Sequence, residues 1–213
     1  HCVRADVMKV PFWLLNGASL RPFGAPAPGP PVLWSRKLTN IDLMDRMRAG
    51  IDIAVFGGDG IGAGTANLMR PRTKSGANFF QNAAMCWRDL PVPVIAALHG
   101  SVFGAGFQIS MGADLRMAAA DTRMSIMEIK WGIIPDMSIT ATLPGVVAED
   151  RVRELAYTGR IVGAEEAAHI GLITSVVDDP LVSATAIAQD IAGKSPDAIR
   201  AIKQLIGETW HPR

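Results

Sequence analysis

The chain has 213 residues, 49% of them hydrophobic and 19% charged, with a formal net charge of +1. This is the composition of an ordinary globular domain, and so balanced a charge without any Lys/Arg block argues against electrostatic binding to nucleic acid. Cys2 and Cys86 offer neither a disulfide framework nor a metal cluster and suit a reducing cytoplasm, the four histidines lack ligand spacing, and no apolar run reaches the ~18 residues of a membrane span.

Residues 1–49 read as an irregular or disturbed N-terminal segment. "KVPFWLL" is too short for a secretory leader, and "GASLRPFGAPAPGPPVLWSRK" has neither helical nor strand period. Such a stretch cannot bury a continuous face, which leaves a linker or a changed reading frame open. From residue 50 to 213 the pattern changes. "IDIAVFGG", "PVPVIAALHG", "ADLRMAAAD" and "GLITSVVDDP" read as short buried strands ended by turn residues. In "AEDRVRELAYTG", Val152, Leu155 and Ala156 repeat at helical spacing and Gly159 is a natural stop. "GAEEAAHIG" is a shorter helix with acidic residues in its first turn. "SPDAIRAIKQLIG" opens with Ser195 as cap and Pro196 at the first helical position, and is expected to stop at Gly207. Strands alternating with helices give an α/β class.

Two glycine-rich stretches invite chemistry. "GGDGIGAGTANLM", residues 57–69, follows a strand, but no acidic residue sits where a dinucleotide-binding fold would need one. "ALHGSVFGAGFQISMGAD", residues 97–114, sets Gly104, Ala105 and Gly106 at the start of a helix and places a lone Gln108 just inside an apolar run. Glycine lets backbone approach a ligand, and a helix start offers free N–H groups; plain helix–strand packing is the other reading.

The run "PVPVIAALHGSVFGAGFQISMGADLRMAAADTRMSIMEIKWGIIPDMSITATLP", residues 91–144, resembles the heart of the enoyl-CoA hydratase/isomerase (crotonase) family. The likeness continues through "RELAYTGRIVGAEEAAHIGLITSVVDDP" and covers roughly residues 51–207. It implies a crotonase-like spiral of β-β-α units with a helical C-terminal part, shortened at both ends. It also implies an acyl-CoA thioester substrate whose enolate is held by two backbone N–H groups. By the resemblance those donors are Ala105 and Thr65, with Gly64, Gly104 and Gly106 lining the substrate. Coenzyme A belongs to the substrate, so no separate cofactor and no metal are implied. A homo-oligomer, trimer or hexamer, is the expected assembly, and fatty-acid metabolism the expected setting.

Glu128, in an apolar strand-like context, falls on the family's second glutamate, where burial raises a carboxyl pKa toward a useful value. Gln108 stands at the first. An amide cannot exchange protons, so it can only orient water or a substrate carbonyl. Asp136 falls where dienoyl-CoA isomerases of the family carry an aspartate; capping a helix from Met137 is its bland alternative. The expectation is an enzyme leaning to double-bond isomerisation, with a catalytically silent acyl-CoA-binding or assembly subunit as the rival. Asp114 reads as a turn contact and His99 as a half-buried packing residue. Lys203 and Arg200 read as surface charges or as contacts to CoA phosphates.

Overall fold

The computed structural model describes residues 76–210 and the backbone of residues 33–34. The expected strand over 51–58, Gly64, Thr65 and the boundary between residues 49 and 50 lie outside the described residues. Within the segment read as irregular, β1 (Leu33–Trp34) pairs parallel with β2 (Ile95–Leu98). Two residues are too few to show a period, and their strand geometry comes from the partner edge.

After α1 (Asn82–Arg88), the chain runs β2, β3 (Ser101–Phe103), α2 (Ala105–Ser110), β4 (Leu115–Ala118) and β5 (Arg123–Ser125). From β2 to β5 successive strands alternate between two sheets: β1, β2, β4 and β7 (Ser175–Val176) form one, and β3, β5 and β6 (Val162–Gly163) the other. The units β2–β3–α2 and β4–β5 with the helices after it each add one strand to each sheet, as in the spiral expected from the sequence. The four-stranded sheet is parallel throughout, with Ile95 opposite Leu115 and Leu98 opposite Ala118.

A parallel sheet covered on both faces needs apolar side chains at every position. All four residues of β2 are buried accordingly. Ala96 and Leu98 join the main core with Phe107, Met124 and Leu155; Ile95 and Ala97 meet Met117, Ala184 and Ala188 on the other face. The last two belong to α6 (Pro180–Ala192), a helix missing from the sequence reading. Asp179 caps it, its carboxylate accepting from the N–H groups of Leu181 and Val182.

The remaining helices are α3 (Ile139–Thr142), α4 (Glu149–Thr158), α5 (Ala164–His169) and α7 (Pro196–Thr209). Gly159 ends α4 at φ +59° as expected. Ser195 caps α7, but the helix runs through Gly207 to Thr209. A glycine inside a helix costs only about 1 kcal/mol. The Gln204–Glu208 side-chain bond across it favours continuation. Among the described residues no helix is long and apolar enough to cross a membrane.

Candidate active site

The site is built where β3 turns into α2. Gly104 sits there at φ +52°, ψ −120°, a left-handed backbone that glycine adopts without strain. Its N–H donates to the Ser125 carbonyl of β5 at 3.0 Å, stitching the turn to the second sheet. A Cβ at this position would stand 3.5 Å from Glu128 Oε1. That is an ordinary contact distance, so the glycine is required by backbone shape, and the carboxylate lies directly beside it.

Ala105 opens α2, so its N–H has no acceptor within the helix. No described backbone carbonyl accepts from it either; the turn's own carbonyl, that of Gly104, takes the N–H of Gln108 at 3.0 Å. Gly106, on the next step of the helix, is buried. Below the turn, Gly112 fixes how near α2 comes to α1: a Cβ there would lie 2.2 Å from the Ala84 carbonyl oxygen.

Gln108 is 1% exposed and makes two short bonds. Its Nε2 donates to Glu128 Oε1 at 2.7 Å, and its Oε1 accepts from the Met137 N–H at 2.7 Å. Glu128 is 8% exposed, and its Oε2 is buried without a hydrogen-bond partner. Burial pushes this carboxyl above its ordinary value; its own backbone N–H and the Gln108 amide pull it back, and the charge of Asp136 adds a smaller upward push. The arrangement keeps a proton acceptor in a dry place with one oxygen uncommitted.

Several sequence expectations change here. Glu128 lies not in a strand but at the start of a 3₁₀ turn, Glu128–Trp131, closed by Gly132 at φ +68°. The turn hides Glu128 while Ile129 and Trp131 stay exposed, so the run is apolar without being a buried strand. Asp136 does not cap the following helix. α3 begins two residues later than expected, Ser138 holds its N-cap position, and no side chain bonds there. Ser138 itself takes φ +77°, the one non-glycine residue with positive φ among those described. Asp136 is exposed on the loop, close enough for its charge to act on Glu128.

Asp114 makes the turn contact expected of it, accepting from the Val94 N–H at 2.6 Å. Lys203 neither faces water freely nor stands ready for phosphate: its Nζ bonds Asp114 and the carbonyls of Trp87 and Val92. Arg200 pairs with Asp197 on its own helix. His99 is half-buried. The sequence reading missed Met137, whose contribution is a backbone N–H, and Ser125, whose carbonyl holds Gly104 and whose hydroxyl donates to Gly159. Neither leaves a mark in residue type or spacing.

A glycine turn, a free helix-start N–H and a buried carboxylate held by an amide on α2 form one constellation, and the enoyl-CoA hydratase/isomerase family model matches residues 51–212, through and beyond it. The chain belongs to the enoyl-CoA hydratase/isomerase family. Carnitinyl-CoA dehydratase from Salmonella typhi is 37% identical over 123 residues, which are 57% of this chain and 47% of that relative. The chain therefore spans about half the length of the curated relatives it matches. Among solved structures it resembles an enoyl-CoA hydratase from Bacillus anthracis, with TM-score 0.59 and 35% identity over 61% of this chain and 51% of that one. Pseudomonas aeruginosa DspI gives TM-score 0.60 and 31% identity, covering 68% and 62%. The crotonase-type fold expected from the sequence is thereby established, and with it membership of a family of enoyl-CoA enzymes.

Proposed function

We propose that this chain acts on acyl-CoA thioesters through an enolate, with Glu128 as the base and the Ala105 N–H as one oxyanion donor. The observation that carries the reading is the buried Glu128 carboxylate, with Oε2 lacking a partner, beside the turn that frees the Ala105 amide. In the proposed step Glu128 takes a proton from the α- or γ-carbon. The electron pair moves toward the thioester oxygen, and the charge there accepts from Ala105 N–H and, by family resemblance, from Thr65 N–H. Preorganised donors in a water-poor site are worth a few kcal/mol each in the transition state. Returning the proton to the other carbon moves the double bond. Coenzyme A enters as part of the substrate, Gly64, Gly104 and Gly106 line its path, and no further cofactor is needed.

Isomerisation is favoured over hydration because the second acid–base group that hydration requires is an amide here. Both polar atoms of Gln108 are already engaged within the protein. Asp136 is the group best situated to assist in proton return. Carnitinyl-CoA dehydratase and enoyl-CoA hydratase, the names of two relatives, denote removal and addition of water. A cytoplasmic role in fatty-acid metabolism fits this chemistry. The outer face of α7, with Ile202, Leu205 and Ile206 exposed and Trp210 exposed just after its end, is consistent with assembly into a homo-oligomer.

The test is to incubate the protein with a 3-enoyl-CoA in deuterated water. Label entering the acyl chain together with rising conjugated enoyl-thioester absorbance supports the reading. Binding without label or absorbance change would instead mark a silent acyl-CoA-binding or assembly subunit.

A further inference from the structure

The Gln108 amide can be oriented in one way only. The Met137 N–H is a donor with no acceptor capacity, so the atom 2.7 Å from it must be the carbonyl oxygen of the amide. That turns the amide nitrogen toward Glu128 Oε1, also at 2.7 Å. A nitrogen that donates there requires Oε1 to accept, and an oxygen carrying its own proton toward that nitrogen could not. The carbonyl oxygen of a protonated carboxyl is its better acceptor, so Oε1 keeps that role and a proton held by Glu128 is placed on Oε2, the oxygen left without a partner.

Building on the reading of Glu128 as the base, we infer that Gln108 is a positioning residue that makes Glu128 a one-oxygen base, with Oε1 fixed as an acceptor and Oε2 as the sole proton carrier. The same amide ties the Asp136-bearing loop to α2 through Met137. Base and loop are thus set in register by one uncharged side chain 20 residues before the base. Among the described residues, the surroundings add little competing charge. Asp136 is the ionised group acting on Glu128 from the loop, Gln108 faces it neutral from α2, and the β3–α2 junction presents Gly104. α4 packs its Gly159 end against Ile129 and Lys130 of the same turn and sets no charge against the carboxylate. A single oxygen that both takes and returns the proton works on one face of the substrate.

The experiment follows Glu128 itself rather than turnover. Full-length protein labelled with carboxyl-¹³C glutamate is titrated by NMR, the Glu128 signal being assigned through Glu128→Gln. Gln108→Met removes the donor to Oε1 and should raise the Glu128 midpoint by about 1–2 pH units, the scale of one hydrogen bond to a charged acceptor. Gln108→Glu keeps the volume and keeps an acceptor for the Met137 N–H. Its second oxygen can face Oε1 only while one of the two carboxyls carries a proton. This variant should therefore titrate as a coupled carboxyl pair with steps more than about 1 pH unit apart.

An unmoved midpoint in Gln108→Met, or two independent steps in Gln108→Glu, overturns the inference. Should Gln108→Met fail to fold, the nearly isosteric variant decides alone. Where the native protein exchanges deuterium into an acyl-CoA, the acid limb of that exchange should move with the NMR midpoint. Midpoints that move as stated in a protein that exchanges no deuterium uphold the positioning role while removing the acyl-CoA reading. Exchange with unmoved midpoints does the reverse.

Discussion

Between Gly100 and Ser138 the chain buries polar side chains and ties each to a named partner: Gln108 to Glu128 and Met137, Ser125 to Gly159, Thr122 to the Leu98 carbonyl. Along α7, Pro196–Thr209, no residue is buried, and Ile202, Leu205 and Ile206 are each more than half exposed. The first region gets its shape from hydrogen bonds inside the protein, where an unmade bond is expensive. The second keeps its shape from its own helical ladder and is fastened to the body chiefly by Lys203. Precision is thus concentrated around the proposed base, and the C-terminal helix is left with an apolar face turned outward.

The most severe break of the first region is Gly112→Ala. Its Cβ would overlap the Ala84 carbonyl, a backbone atom that cannot rotate away. We expect a loss of about 3 kcal/mol or more, at the upper end of overpacking effects, read as a fall in the urea midpoint or as failure to fold. A normal midpoint would show that α1 and α2 can part without penalty.

The corresponding break of the second region is Lys203→Ala. It removes the bonds to Asp114 and to the carbonyls of Trp87 and Val92. The expected loss is about 1–2 kcal/mol, confined to docking of α7. Hydrogen exchange should quicken in α7 and stay slow in β2 and β4. Equal acceleration in the sheets would mean that the two regions are one cooperative unit.

A smaller effect sharpens the contrast within the site. Ser138 holds a left-handed backbone without being glycine. Ser138→Gly should raise stability by about 0.5–1 kcal/mol, less the hydroxyl's weak bond to the Gln81 carbonyl at 3.3 Å. A lower melting temperature would show that the hydroxyl outweighs the backbone strain.

Glu128→Gln tests the burial of charge through its pH dependence. The folded carboxyl titrates above its unfolded value, mainly through burial. Its favourable contribution is therefore complete below the unfolded pKa near 4.5 and lost as pH rises through the folded pKa. The amide variant should melt higher than the native protein at pH 8, with the gap closing on acidification through the folded pKa toward 4.5. A gap independent of pH would exclude the carboxyl as its source.

Much of the fold could be read from the sequence because its signals are local. Val152, Leu155 and Ala156 with Gly159 marked α4, and the unbroken apolar run at Ile95–Leu98 marked a strand buried on both faces. α6 was legible but unread: Asp179 and Pro180 announce its start, and Ala184 and Ala188 recur at helical spacing. The 3₁₀ turn at Glu128 was not legible, since an apolar run with Ile129 and Trp131 looks the same whether those side chains are buried or exposed. At the site, Glu128, Gln108 and Ala105 were found through family resemblance, and Gly104 through its conformational freedom as well. Their connection was beyond the sequence. A bond from Gln108 to a carboxylate 20 residues away, and another to a backbone N–H 29 residues away, depends on how two sheets stack and leaves no periodic trace.

In the proposed reaction, Glu128 and the Ala105 N–H act together on one enolate. The most direct test of this joint action is solvent deuterium exchange into a bound acyl-CoA, measured by mass spectrometry for the native chain, Glu128→Gln and Ala105→Pro. Proline is tolerated at the first position of a helix, so Ala105→Pro removes the donor, and circular dichroism checks that the variant is folded. The native protein should exchange, Glu128→Gln should not, and Ala105→Pro should be slower by about 10²–10³, with acyl-CoA still bound by all three. Unchanged exchange in both folded variants would contradict that joint action.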